Sequence, residues 1–354
     1  MKRILLSLLL CAGFMAKAQV YNNEWIDYSK TYYKFKIGPT GLYRISQAAL
    51  TSIGLGSIPA ENFQLWRNGQ EIPLYTSVPN GPLGSSDYIE FWGEMNDGKA
   101  DKPLYIDPDY QLNDHWSLQT DTAFFFLTVN PTGANQRLVN TTNDIAGNTL
   151  SPEPYFMFTL GNYFKNRINT GNAAIVETSY VYSSSYDKDE GWTSGDIATA
   201  ASLSVTHNNL HVYTSGPPPT FSINAGGNAV NTRSFTLTIN NTQIDQQEMD
   251  YFDYVKYQTS FPISLISTSS AAVKVTNNCP TGGDRMVVAQ YELNYPRLFN
   301  FDNLKNFVFQ LPANSNGNYL QITNFNQGST APVLYDITNG KRYVADISNP
   351  SFIQ

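Results

Sequence analysis

Residues 31–75 read TYYKFKIGPTGLYRISQAALTSIGLGSIPAENFQLWRNGQEIPLY. From Tyr32 to Ile37 aromatic or aliphatic residues alternate with lysine, the period of a half-buried strand. The cluster Gly38-Pro39-Thr40-Gly41 can reverse the chain into Leu42 to Ile45, so a β-hairpin is expected there. Ser46 stands where a helix N-cap belongs. The next two turns, QAALTSIG, end on a glycine suited to a left-handed C-cap. Phe63 to Trp66 and Glu71 to Tyr75 then form a second hairpin across Arg67-Asn68-Gly69-Gln70, because Asn-Gly supplies the positive φ angles of a tight turn. Two hairpins around one short helix predict a compact β-rich domain.

Working outward, residues 88–92 alternate Tyr, Glu and Trp against Ile and Phe and read as a strand entering an acidic loop, Gly93 to Asp114. The loop carries Glu94, Asp97, Asp101, Asp107, Asp109 and Asp114. Hard oxygen donors at short spacing suit Ca²⁺, which takes six to eight oxygen ligands, and Asp97, Asp101, Asp107 and Asp109 are the better ligand candidates. No EF-hand pattern accompanies them, so a solvated acidic loop is the competing reading. Thr122 to Val129 (TAFFFLTV) is nearly unbroken apolar sequence, as in a central strand covered on both faces. The following stretch to Pro154 is rich in Asn, Thr, Gly and Pro, and places a boundary near Ser151.

From Tyr155 onward short alternating segments recur: 174–182, 200–206, 211–213, 220–223, 233–239, 251–258, 272–276, 285–295, 305–310, 319–323, 333–336 and 342–346. Gly216-Pro217-Pro218-Pro219, Ala225-Gly226-Gly227-Asn228 and Thr281-Gly282-Gly283-Asp284 read as the turns between them. Residues 245–251 have helical character. The expected fold is mainly β: a small β-rich N-terminal domain (19–150) with one short helix, then a jelly-roll-like antiparallel β-sandwich region (151–354).

Only 14% of the 354 residues are charged, against 14% aromatic, with 24 Gly and 19 Pro, a profile of an extracellular β-protein rather than a cytosolic helical enzyme. A net charge of -7 without any basic run argues against nucleic-acid partners. Residues 1–18 look like a Sec signal peptide: Lys2-Arg3, an apolar core from Ile4 to Phe14, and Ala16-Lys17-Ala18 before Gln19. That core is too short to span a bilayer. Cys11 leaves a lipoprotein as the alternative, although Leu10 stands where a lipobox has a small residue. Export to the periplasm, the outer-membrane surface or the medium is therefore expected, and Cys279 is then the one cysteine of the mature chain, which excludes an internal disulfide.

The run GLYRIS, the helix, FQLWRNGQEIPLY, DYIEFWGEMNDGKAD and SLQTDTAFFFLTVN resembles the N-terminal module of the gingipain-like (family C25) cysteine peptidases of Bacteroidota, particularly the sortase-like members of the type IX secretion system. A second block, YELNYPRLFNFDNLKNFVFQL followed by YLQITNF and VLYDITNGKRYVADI, is similar to the segment preceding the catalytic domain in the same proteins. The resemblance implies a noncatalytic region of an exported cysteine peptidase, whose Cys/His dyad would lie beyond residue 354. Its partners would be that peptidase domain and, through it, outer-membrane secretion components.

The residues themselves agree with a noncatalytic reading. A cysteine peptidase needs a thiolate within hydrogen-bond reach of an imidazole. Cys279 lies on a Gly-rich turn, yet YELNYPR follows it almost at once, and none of His115, His207 and His211 sits in a glycine-flanked strand end. The strand–helix alternation of a caspase-like domain is missing. G-x-S-x-G, H-E-x-x-H and P-loop motifs do not occur. His207 and His211, four apart in strand-like sequence, would share one sheet face without further zinc ligands. Glu90 and Glu94 could be posed as a glycosidase pair, but solvent-facing strand positions account for them equally well. The alternative is a free-standing surface module binding glycans or proteins through Trp25, Trp66, Trp92, Trp116 and Trp192, against which stands the tendency of Trp in β-rich chains to serve the core.

Overall fold

The computed structural model describes residues 23–183 and 185–354, so the expected leader with Cys11 lies outside the described residues. The chain is mainly β, and by its contacts it divides into two units. Over the described residues the first comprises 23–94, Ala123–Val139 and Asp336–Lys341; the second comprises Met95–Thr122, Asn140–Tyr335 and Arg342–Gln354. Among the described residues no helix is long and apolar enough to cross a membrane.

The first unit contains β1 (Tyr33–Ile37), β2 (Gly41–Ser46), α1 (Gln47–Ser52), β3 (Phe63–Arg67), β4 (Gln70–Ile72), β5 (Tyr75–Thr76), β6 (Tyr88–Gly93) and β7 (Ala123–Val129). The hairpin expected between the first two strands does not form. β1 pairs instead with β7, in a sheet ordered β1-β7-β3-β4, and β2 pairs with β6 in the sheet β2-β6-β5. Gly38 to Gly41 carry the chain from one sheet to the other. Each strand has an apolar stripe, and crossing over lets both stripes close on one core: Phe35 stacks on Phe125, Tyr43 stacks on Phe91, and Phe91 meets Phe125 at 5.4 Å between the sheets. A local hairpin would have left one stripe in water.

Other local readings hold. Ser46 Oγ accepts from the Ala49 amide at 3.2 Å and caps α1, and Leu50 buries fully in the core. β3 and β4 form the second hairpin, with Asn68 and Gly69 at φ of 49° and 77°. β7 is central, between β1 and β3, with Phe125 fully buried.

After the short strand β8 (Val139–Asn140), the second unit contains β9 (Phe156–Tyr163), β10 (Arg167–Thr170), β11 (Ala173–Val176), β12 (Ser179–Tyr182), β13 (Glu190–Thr193), β14 (Ile197–Ala198), β15 (Ser202–His207), β16 (Thr220–Gly227), β17 (Thr232–Ile239), β18 (Thr242–Asp250), β19 (Tyr254–Ser260), β20 (Ala271–Asn277), β21 (Arg285–Arg297), β22 (Asn300–Leu304) and β23 (Thr323–Phe325), while β24 (Val333–Asp336) and β25 (Lys341–Val344), like β8, have residues in both units. Two antiparallel sheets make a sandwich. One is ordered β14-β21-β16-β19, with β9 also on β21; the other is β15-β20-β17-β18. Alternate residues of both fill the core, including Phe221, Ile223, Tyr291 and Leu293 from the first and Phe235, Leu237, Val273 and Val275 from the second.

Several segments depart from the sequence reading. Residues 245–251 lie in and just after strand β18, because Ile244 and Met249 pack on the sandwich core while Gln and Asp point outward. Residues 174–182 form the two strands β11 and β12 rather than one. Ala225 to Gly227 are not a turn but the end of β16. Residues 305–310 are not a strand, yet Phe307 and Phe309 pack on Phe156, Phe299 and Phe301 in a small aromatic cluster.

Candidate functional site

The thiol and the imidazoles are the first groups to place. Cys279 is 3% exposed; its amide donates to Asn277 Oδ1 at 2.9 Å and its Sγ to the Thr232 carbonyl at 3.4 Å. His115 stacks flat on Tyr163 at 4.1 Å, and burial pushes its pKa down. His207 Nε2 lies 2.8 Å from the Tyr291 hydroxyl, and burial pushes this imidazole down as well. His211 Nε2 is 3.5 Å from Asp302 Oδ1. The two last histidines do not share a strand face: β15 ends at His207, and the chain turns through Asn209 and His211 at φ of 56° and 48°. The thiol's partner is thus a carbonyl and not an imidazole. A sulfur in that setting is a small buried hydrophobe, not an activated nucleophile.

The four aspartates proposed as calcium ligands fold into separate local roles. Asp97 Oδ1 accepts from the Lys99 amide and caps the 3₁₀ turn Gly98–Leu104. Asp101, 4% exposed, accepts from the Ser117 hydroxyl and, at 2.6 Å, from the Leu118 amide. Asp107 caps the turn Pro108–Tyr110 through the Asp109 amide. Asp109 takes Lys256 Nζ at 2.8 Å and the Tyr254 hydroxyl at 2.9 Å. The Lys256 and Tyr254 bonds hold the Asp109 carboxyl below its usual range, while burial and the bond to Asp109 push the Tyr254 phenol up to about 12. Among the described residues no group of three or more His, Cys, Asp and Glu side chains gathers as a metal site.

What organises this acidic loop is Asn113, which the sequence gives no reason to single out. It is 4% exposed, and its Nδ2 donates to the carbonyls of Phe164, Trp192 and Ala289 at 3.0–3.1 Å. Its Oδ1 accepts from the amides of His115 and Trp116. The Ala289 carbonyl also accepts from the Phe164 amide at 3.0 Å, and on its other side the pairing of β16 with β21 shifts register between Asn224 and Ala225, skipping Ala289. Main-chain carbonyls from the residue after β9, from β13 and from β21 therefore make the socket into which the loop plugs.

Glu90 is not solvent-facing. It is 5% exposed and bound by Arg44 at 2.6 Å, whereas Glu94 is exposed and paired with Arg67 at 3.1 Å. With these roles the pair forms no glycosidase constellation. Glu94, Arg67, Trp92 and Phe125 instead line a shallow cavity of about 150 Å³ in the first unit. None of the five tryptophans is an open platform: all are half-buried, Trp25 stacks on Trp66, and the indoles of Trp116 and Trp192 donate to the Tyr163 and Ser117 carbonyls.

No family model matches the sequence, and no curated protein matches it. Among solved structures, two carbohydrate-binding modules align over about two-fifths of the chain. One, of a xylanase from the hindgut metagenome of Trinervitermes trinervoides, gives a TM-score of 0.25 at 8% identity, covering 39% of this chain and 95% of that one. The other, in complex with calcium and xylotriose, gives 0.25 at 12% identity, covering 38% and 98%. Scores at that level carry no argument. Dimeric latent PorU from Porphyromonas gingivalis aligns with a TM-score of 0.55 at 12% identity over 91% of this chain and 30% of that chain. The chain thus spans less than a third of the length of PorU, and over that length the two share a fold.

Proposed function

We propose that this chain is a noncatalytic region of an exported, gingipain-like protein of the type IX secretion system, acting as scaffold or restraint for a C25-type peptidase domain in the same polypeptide. The observation that carries the reading is the PorU fold extending over 91% of the chain, through both units. The ordered sequence blocks resembling the pre-catalytic part of C25 peptidases point the same way, and the carbonyl-bonded Cys279 thiol supports a region without peptidase chemistry of its own. Export by the Sec route, placement at the cell surface and partnership with secretion components belong to this proposal.

The test is hydrolysis of unstructured peptide substrates by the purified 354-residue chain, alongside Cys279→Ala and the full product of the reading frame. The short chain and its variant are expected to be inactive, and the full product to show hydrolysis blocked by thiol alkylation. Thiol-dependent cleavage by the 354-residue chain, or a reading frame without a peptidase domain, overturns the reading.

A further inference from the structure

One carboxylate in the second unit stands apart from every other. Asp189 is 1% exposed, and among the described residues neither of its side-chain oxygens has a hydrogen-bond partner. Its backbone is left-handed at φ 64°, a conformation that non-glycine residues adopt at a cost. The segment around it is clamped to β10 and the turn after it: Asn169 Nδ2 donates to the Asp189 carbonyl, and the Asn172 amide to the Lys188 carbonyl.

The carboxyl lies directly on Gly226. A Cβ at that position would fall 2.5–2.7 Å from its Cγ and both oxygens, so only glycine admits it. Phe221, Ile223 and Ala225 of β16 point into the sandwich core, so the alternation of the strand puts Gly226 on the outer face of the sheet. Left-handed backbone, a glycine inside a strand and a buried carboxyl without bonds each cost stability, and they converge on one spot.

The neighbouring charges do not supply what is missing. Arg233 is a buried cation whose charge acts on this carboxyl, but each of its three guanidinium nitrogens is already bonded, to Asp284, Ala229 or Tyr251. Lys188 turns outward to Asp253 at 3.2 Å. Asp253 and Asp187 add negative charge, and burial, with Asp253 behind it, pushes the Asp189 carboxyl well above its usual pKa. Protonation would remove the charge yet leave a buried hydroxyl and a carbonyl oxygen without partners.

We propose that Asp189 is the anchoring ligand of a buried cation site on the outer face of the sandwich, beside Asp253, whose carbonyl takes the Gly227 amide next to the glycine that Asp189 covers, with calcium as the cation class. A hard cation answers both deficits at once, charge and unbonded oxygens. Ca²⁺ completes irregular shells with main-chain carbonyls and water, where Mg²⁺ demands near-octahedral geometry and transition metals want imidazole or thiolate.

The experiment follows the melting temperature of the purified chain, stripped with chelator, against CaCl₂, with MgCl₂ and NaCl at matched ionic strength. A saturable rise with Ca²⁺ and not with Mg²⁺ is expected, since a ligand that binds only the native state stabilises it. Asp189→Asn should abolish the rise, and Asp109→Asn should leave it intact. Direct calorimetric titration should show one site in the native chain, weakened roughly tenfold by Asp253→Asn; this second variant serves if Asp189→Asn does not fold. No calcium response in the native chain overturns the proposal, as does a response that survives Asp189→Asn or is unaltered by Asp253→Asn. A higher melting temperature in Asp189→Asn without any cation response would show that the carboxyl is simply buried with a proton or a water.

Discussion

Replacing Asp284 by Asn removes one charge and almost no volume, and should be among the most damaging single changes in the second unit. Arg233 and Asp284 have fully buried side chains 2.9 Å apart, with Arg233 Nε and Nη2 both on the carboxylate. Asn277 and Asn231 donate to the same two oxygens. In Asp284→Asn the guanidinium stays buried without a counter-charge, and the new amide group points a donor at other donors. Breaking a buried pair from one side costs about 3–5 kcal/mol. For a unit of this size each kcal/mol moves the melting temperature by roughly 2–4 °C, so a fall of about 6–20 °C is expected. The pH dependence carries the same signature. Burial pushes the Asp284 carboxyl up, but the Arg233 and Asn277 bonds outweigh it and hold the pKa below its usual value. A folded-state pKa below the unfolded one gives stability that is present above about pH 4 and is lost as pH falls through the folded value. Urea unfolding between pH 3 and 7 should therefore show the native chain losing stability over that acid limb, and Asp284→Asn showing a shallower limb. The double replacement Arg233→Met with Asp284→Leu should recover most of the loss. A single substitution costing less than about 1 kcal/mol at pH 7 would refute the account of this pair.

Two further outcomes can be checked by the same unfolding measurements. Asn113→Ala takes the Nδ2 donor from three carbonyls, of which that of Ala289 keeps the Phe164 amide, and the Oδ1 acceptor from two amides, and should cost about 2–4 kcal/mol; Asn113→Asp keeps the acceptor but not the donor and should recover only part of the loss, and a loss under about 1 kcal/mol in Asn113→Ala would contradict the socket. Ser46→Ala should destabilise the first unit by about 1 kcal/mol while Ser46→Asn is nearly neutral, and equal effects would show that the cap is not the cause.

Local chemistry was legible where a residue acts on its own neighbourhood. Ser46 announces a cap, Asn68-Gly69 a tight turn and TAFFFLTV a central strand, because in each case the deciding interaction spans a few residues or a single composition. The partnership of β1 and β2 was not, since both have the right alternation for each other. Only the competing stripes at Phe91 and Phe125 decide between them, and those lie about fifty and ninety residues away. Residues 245–251 were misread for a similar reason: their polar composition fits a helix surface as well as an outer sheet face, and the partners on β17 settle it. In the sequence Asn113 is just one more oxygen donor of the acidic loop, because its value lies in the carbonyls of Phe164, Trp192 and Ala289, 51 to 176 residues away.

The pair Gly226-Gly227 shows how a sequence signal can be real and still be assigned to the wrong cause. Ala225-Gly226-Gly227-Asn228 looks like a turn, yet it runs as strand to Gly227, where glycine weakens a sheet. The two glycines serve opposite faces. A Cβ on Gly227 would strike Arg233 Nη1 and the Tyr251 carbonyl, so its absence admits the bonded arginine; a Cβ on Gly226 would strike Asp189, so its absence admits the unbonded carboxyl. One face thus holds a cation whose every nitrogen is bonded, and the other a carboxyl without a hydrogen-bond partner among the described residues. If the sheet needed glycine only for local flexibility, Gly226→Ala and Gly227→Ala would cost alike. The geometry instead makes them differ: Gly227→Ala collides with fixed backbone and a tethered guanidinium in any solution, whereas the penalty of Gly226→Ala should grow with calcium concentration, because it displaces the ligand that calcium would hold in place.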